Sequence, residues 1–212
     1  MVLGEKMKIL LIGNGSSVMD YEAGPVIDSF DVVARFNRFR IKGYENKVGT
    51  KTTDWITVDS GTQWMNGKVD ECYASDPEVF SSFNNVYIVI PKFKFQQEVN
   101  RISSLPYIQD NVQIIDSSVE DMINEKVDFR PAWPTTGLIA ITLFSTLYEE
   151  IFIHGFDGHD TKYNDYHYFD KNDPMRTTQY AWRENRTDHN LIKEQEYLSK
   201  LPTKVKVLSE YL

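Results

Sequence analysis

Met7-Lys8-Ile9-Leu10-Leu11-Ile12-Gly13-Asn14-Gly15-Ser16 is the stretch whose reading decides the architecture. Met7 to Ile12 is a short, mostly apolar run without the polar alternation of a half-buried strand, so it reads as a strand covered on both faces, the habit of parallel sheets. Gly13-Asn14-Gly15 then ends it in a tight turn, where the absence of side chains lets a ligand come close to the backbone. Similar apolar or β-rich runs recur at 31–36, 55–58, 86–90, 112–115, 150–154 and 204–208. Helical stretches are predicted between several of them, at 25–29, 94–103, 117–124, 136–148 and 187–201. Strands alternating with helices predict an α/β fold: one Rossmann-like domain over residues 1–212, with a mainly parallel central sheet covered on both faces.

The bulk numbers narrow the class. A chain of 212 residues with 41% hydrophobic and 13% aromatic content can bury a substantial core, which argues against disorder. A net charge of −8 leaves no basic excess to neutralise phosphates, so broad nucleic-acid or anionic-membrane binding is not expected. Arg35-Phe36-Asn37-Arg38-Phe39-Arg40 still allows a local basic pocket. Cys72 is the single cysteine, so no intramolecular disulfide can form. Met1 to Lys8 carries Glu5, Lys6 and Lys8 and resembles neither a signal peptide nor a membrane anchor. These features lead to the expectation of a soluble protein of a reducing compartment, the cytoplasm, and they set no oligomeric state. Residues 59–82 and 155–185 read as irregular, and the second, dense in Tyr, Asp, His and Asn, reads as a ligand-contacting loop.

Four separated segments carry candidate chemistry. Gly13-Asn14-Gly15-Ser16 offers a phosphate-facing turn, or else an ordinary strand–turn glycine pair. As a dinucleotide fingerprint it fails, because Val18 stands where a third glycine belongs and the second strand ends in Asn37-Arg38 rather than an acidic ribose ligand. Asn14 and Asn37 end two predicted strands at one edge of the sheet, so both can reach one ligand. In the second segment, Thr135, Thr136 and Gly137 precede the apolar run from Leu138 to Leu147. There a hydroxyl cap and free backbone N–H groups bind an anion, or Thr135 merely caps a buried helix.

All four histidines lie between positions 154 and 189. His167 sits between Tyr166 and Tyr168. His189 is predicted in the first turn of the last helix, where the helix dipole keeps an imidazole neutral and available as a base. Glu194, five residues on, is off that face and is predicted to orient the helix or a neighbouring segment. The run from His154 to Asp160 is dense enough in His and Asp to suggest a metal, but its two glycines and the lack of a helical His pair favour a turn with no metal.

These residues resemble the four sialylmotifs of the animal-type sialyltransferases, glycosyltransferase family 29. Gly13-Asn14 followed by Gly24–Asn37, Gly43-Tyr44-Glu45 and Val48–Thr53 is similar to the large motif. Pro134–Leu138 through Ile153-His154-Gly155-Phe156 is similar to the small motif, His167-Tyr168-Phe169-Asp170 to the third, and His189 with Glu194 to the very small one. The resemblance implies a variant GT-A fold, a CMP-activated sialic acid donor, a glycan or small-molecule acceptor, inversion at the anomeric carbon and no metal cofactor. Carried over, Asn14, Gly15, Ser16 and Asn37 would hold the nucleotide, and Thr135, Thr136, Gly137, Gly155 and Phe156 would line the donor site. His167, supported by Tyr168, would stabilise the leaving phosphate, and His189 would be the general base, supported by Glu194. Ile9 and Tyr148 stand where the family pairs two cysteines, and Ser17 where it often has Asn. The rival readings are a CMP-sugar hydrolase acting on CMP-sialic acid or CMP-Kdo, and a CMP-binding module without catalysis. An NAD-dependent enzyme is disfavoured by the broken glycine pattern.

Overall fold

The computed structural model describes residues 8–58, 82–103, 110–157, 167–169, 189–201 and 204–212. All seven expected strands form: β1 (Ile9–Ile12), β2 (Val32–Phe36), β3 (Asp54–Val58), β4 (Asn85–Val89), β5 (Val112–Ile115), β6 (Glu150–His154) and β7 (Lys204–Val207). They make one parallel sheet in the order β5-β4-β3-β2-β1-β6-β7. β1 is buried at every position, as a central strand between two helical layers must be. The helices are α1 (Gly24–Asp28), α2 (Glu45–Val48), α3 (Phe95–Ser103), α4 (Ser118–Lys126), α5 (Thr136–Ser145) and α6 (Leu191–Ser199).

Alternation along the strands divides the core. Ile9, Leu11, Ala34, Phe36, Ile56, Ile151 and Ile153 face α4, α5 and α6, whereas Leu10, Ile12, Val33 and Phe152 face α1 and the C-terminal Leu208. A third cluster packs Trp55, Val86 and Ile88 against Ile102 of α3. Each fully buried Leu, Ile or Phe contributes about 1.5–3 kcal/mol, so the three clusters carry the sheet. α5 is apolar around most of its circumference, with Leu138, Ile139, Ala140, Ile141 and Phe144 buried, and its start is therefore rigidly held.

Topology then places the site. From β1 the chain steps outward through β2 to β5 and returns as β6 on the other side of β1. The strand order reverses between β1 and β6, and ligands of open parallel sheets bind outside the carboxyl ends of the strands at such a point. Gly13 and Gly155, the residues that follow those two strands, stand there.

Several expected boundaries shift by a residue or a turn. α5 ends at Ser145 instead of running to Tyr148, because Thr142, Ser145 and Thr146 turn their hydroxyls onto carbonyls of the helix. α2 was not expected; its four residues carry no period long enough to read. Most of the two irregular stretches, with Cys72, His159, Asp160 and Asp170, lies outside the described residues.

Candidate active site

At the reversal point β1 and β6 are joined beyond their ladder. The Gly13 N–H donates to the His154 carbonyl at 2.8 Å, and the Gly15 N–H to the Gly155 carbonyl at 2.9 Å. A Cβ on Gly13 would lie 2.3 Å from the Gly155 oxygen, and one on Gly155 would lie 2.7 Å from the Gly13 oxygen. Both glycines are required by backbone contact, and Gly155 also adopts φ +71°.

The glycine turn is not an open anion site. The Asp157 carboxylate lies against Gly15, where a Cβ would come within 2.4–2.6 Å of its atoms, and accepts the Ser17 N–H at 3.0 Å together with the Ser17 hydroxyl. The phosphate expected on the Gly13–Ser16 turn therefore meets an internal carboxylate, which residue spacing does not reveal across 140 positions. Asn14 is also partly committed: its Nδ2 donates to the carbonyls of Phe36 and Arg38 at 3.0 and 2.6 Å, tying the end of β1 to the end of β2. Asn37 takes φ +44° and accepts the Val58 N–H on its Oδ1 at 3.1 Å. Asn14 and Asn37 thus meet at one edge.

The third segment docks on this edge. The Tyr168 N–H donates to the Asn14 carbonyl at 2.9 Å, and its buried hydroxyl accepts the Arg40 N–H at 2.9 Å. His167 stacks on Phe169 with ring centroids 5.1 Å apart, and the Arg38 and Arg40 guanidinium carbons sit 5.2 and 5.8 Å from the Phe169 centroid. Arg38 and Arg40 give this corner a positive character. Arg35 does not join them. Fully buried, it donates to the carbonyls of Val48 and Lys51 and to the Thr52 hydroxyl at 2.6, 3.0 and 2.8 Å, and burial lowers its pKa to about 10. It holds the large-motif loop that Asp28 also grips through Thr50 and Lys51. The basic-pocket expectation is corrected at this residue: strand alternation turns Arg35 inward.

The second half of the site gathers on α5 and α6. Thr135 caps α5, its hydroxyl oxygen accepting the Leu138 N–H at 3.2 Å. Thr136 and Gly137, the first two helical residues, keep N–H groups with no partner among the described residues, which is the anion-binding end of a rigid helix. Glu194 reaches back from α6 and takes the Thr135 N–H at 2.7 Å and its hydroxyl at 3.0 Å. Burial pushes the Glu194 carboxyl above its usual value, against the two Thr135 bonds, so its charge at this helix start is more readily neutralised.

His189 lies one residue before the Asn190 cap, outside α6 rather than in its first turn, because Asn190 takes the Lys193 N–H on its side chain. Its state is set by another contact. Nδ1 is 2.9 Å from the Trp133 carbonyl, which can only accept, so Nδ1 bears a proton and the neutral ring has its lone pair on Nε2. Trp133, which was not singled out from the sequence, also packs its ring on His189 and on Phe93, at 6.1 and 5.5 Å. Phe156 joins the two halves: it meets Phe36 edge to face at 5.5 Å and lies over Gly137, where a Cβ would touch it at 2.8 Å.

The His154–Asp160 run divides by role where it is described. His154 is 3% exposed with no partner for Nε2 among the described residues, and burial lowers its pKa to about 4 against the pull of Asp157. Because the native value is depressed below 6.5, the stabilisation from keeping this imidazole neutral is complete above pH 6.5 and is lost as pH falls through about 4. Urea unfolding between pH 7 and 4 is expected to show this loss, of about 3 kcal/mol, and His154→Phe to flatten it. An equal pH slope in the two proteins would exclude His154 as its source.

Comparison with known proteins places this geometry. The model of glycosyltransferase family 29 (sialyltransferase) matches residues 8–206. The chain is 29% identical to rat lactosylceramide alpha-2,3-sialyltransferase over 92% of its own length and 54% of the relative's. It is 25% identical to mouse type 2 lactosamine alpha-2,3-sialyltransferase over 95% and 64%. It therefore spans roughly half to two thirds of the length of these relatives. A mammalian sialyltransferase crystal structure superposes with TM-score 0.63 at 20% identity, covering 95% of this chain and 68% of the other, which supports the fold. A mammalian sialyltransferase in complex with Gal-beta-1-3GalNAc-ortho-nitrophenol gives 0.62 at 19% identity. These relatives overturn the expected cytoplasmic, reducing compartment, because the matched animal sialyltransferases are Golgi lumenal enzymes. A single cysteine bears on intramolecular disulfides and not on where a chain works. Among the described residues no helix is long and apolar enough to cross a membrane. With its sialylmotif residues gathered at the sheet's reversal point and nearly its whole length matched, the chain belongs to glycosyltransferase family 29, the sialyltransferases.

Proposed function

We propose that the chain transfers sialic acid from CMP-sialic acid to a glycan hydroxyl by a single displacement that inverts the anomeric carbon and uses no metal. The observation that carries this reading is the contact of His189 Nδ1 with the Trp133 carbonyl at 2.9 Å. With Nδ1 facing the Trp133 carbonyl, Nε2 is the nitrogen assigned to take the hydroxyl proton. The same Trp133-Pro134-Thr135 segment that orients the base also caps the helix whose Thr136 and Gly137 N–H groups receive the donor's sugar carboxylate.

The step then balances. The acceptor oxygen forms its bond to the anomeric carbon as its proton passes to His189 Nε2, and the bond to the phosphate oxygen breaks with its electron pair leaving on CMP. His167, beside Arg38 and Arg40, donates to that phosphate, and these groups supply in place the stabilisation an oxocarbenium-like transition state needs. Asn14, Gly15, Ser16, Asn37, Gly155 and Phe156 shape the nucleotide's seat, Tyr168 supports His167, and Glu194 holds Thr135 in place. The test is the anomeric configuration of the first product, followed by proton NMR from the β-linked CMP donor. An α-linked sialoside is expected, and a β-linked first product would contradict a single displacement.

A further inference from the structure

We infer that Asp157 is the ribose ligand of the nucleotide, its carboxylate accepting hydrogen bonds from the 2′- and 3′-hydroxyls. The inference rests on the CMP-sugar reading above. Rossmann-like sheets usually hold a ribose with an acidic residue, and the second strand here ends in Asn37-Arg38, which cannot play that part. A carboxylate is supplied instead at the end of β6. It stands at the reversal point of the sheet and is held by the Ser17 N–H at 3.0 Å and by the Ser17 hydroxyl. Each oxygen accepts one bond from Ser17, on Oδ2 and Oδ1 respectively, so each retains acceptor capacity. Two parallel acceptors fixed in one plane suit a vicinal diol.

The carboxylate also faces a cavity. Asp157 lines a cavity of about 230 Å³ with Ser17, Tyr21, His154 and Ser209, and the His154 Nε2 at its wall is buried and has no partner among the described residues. Gly15 admits the carboxylate because any Cβ there would collide with it. Phe156, the preceding residue, lies over Gly137 at the α5 start, so consecutive residues after β6 face the proposed seats of the sugar carboxylate and of the ribose.

The experiment is calorimetric binding of CMP, 2′-deoxy-CMP and 2′,3′-dideoxy-CMP to wild type and to Asp157→Asn. Wild type is expected to lose about 10- to 100-fold in affinity from CMP to the dideoxy nucleotide, the worth of hydrogen bonds to a charged group. Asp157→Asn is expected to bind CMP that much more weakly and the dideoxy nucleotide nearly as wild type does. Equal weakening of both ligands, or no weakening of either, would overturn the assignment. The wild-type ligand series needs no variant, so lack of discrimination among the three nucleotides overturns it even if Asp157→Asn fails to fold. Failure of wild type to bind CMP at all would instead overturn the CMP-sugar reading, and the ribose assignment with it.

Discussion

The His189→Ala variant is expected to lose about 10²–10⁴ in kcat while binding CMP as wild type does. The loss follows from what the imidazole supplies. An acceptor hydroxyl is a poor nucleophile with its proton in place, and in the proposed mechanism His189 Nε2 receives it, since Nδ1 faces the Trp133 carbonyl. Binding is expected to be spared because the proposed seat of the nucleotide lies at the ends of β1, β2 and β6, where the bonds described above are those of Asn14, Asn37 and the two glycines. Single-turnover transfer with calorimetry of CMP on the same preparation separates the two effects. Weakened CMP binding matching the lost rate would make His189 a structural residue. A rate close to wild type would remove it from the chemistry.

Gly155→Ala is expected to have the largest effect on stability. The residue sits at φ +71°, which costs an L-residue about 1–2 kcal/mol. Its new methyl would also lie 2.7 Å from the Gly13 oxygen and 2.6 Å from Val18 Cγ1. Neither neighbour yields cheaply, since one is backbone and the other is fully buried. Forcing a group into such packing costs about 1–3 kcal/mol more, for a total of roughly 2–5 kcal/mol. Urea denaturation checks it, and a loss under about 1 kcal/mol would mean that the β1–β6 junction is looser than the contacts indicate. Activity should fall with it, because the junction carries both Phe156 and Asp157.

The fold was legible because its signals are local. β1 is a continuous apolar run and the other strands are short apolar or β-rich ones, α5 announces itself through Leu138 to Phe144, and Gly13 and Gly155 punctuate the ends of β1 and β6. The contacts of the candidate site were not legible. Glu194 could be read as off the His189 face, yet its partner Thr135 lies 59 positions away and nothing in the spacing points to it. Asp157 was hidden in a run that suggested metal chemistry, and its hold on Ser17 spans 140 positions. Arg35 sat in a run of arginines that read as a local basic pocket, and alternation along β2 turns it into the core beside Val33. His189 was placed within the helix because it follows Thr187-Asp188, and the side-chain bond of Asn190 to the Lys193 N–H moves the cap past it.

The most direct test of the account is transfer from CMP-sialic acid by the purified chain in EDTA, across a panel of galactosides, with CMP release and sialylated product measured together. The account predicts a sialylated product formed in step with CMP at a rate that depends on the galactoside and does not change when EDTA is added. CMP released with no sialylated product from any galactoside, or transfer abolished by EDTA and restored by a divalent metal, would contradict it.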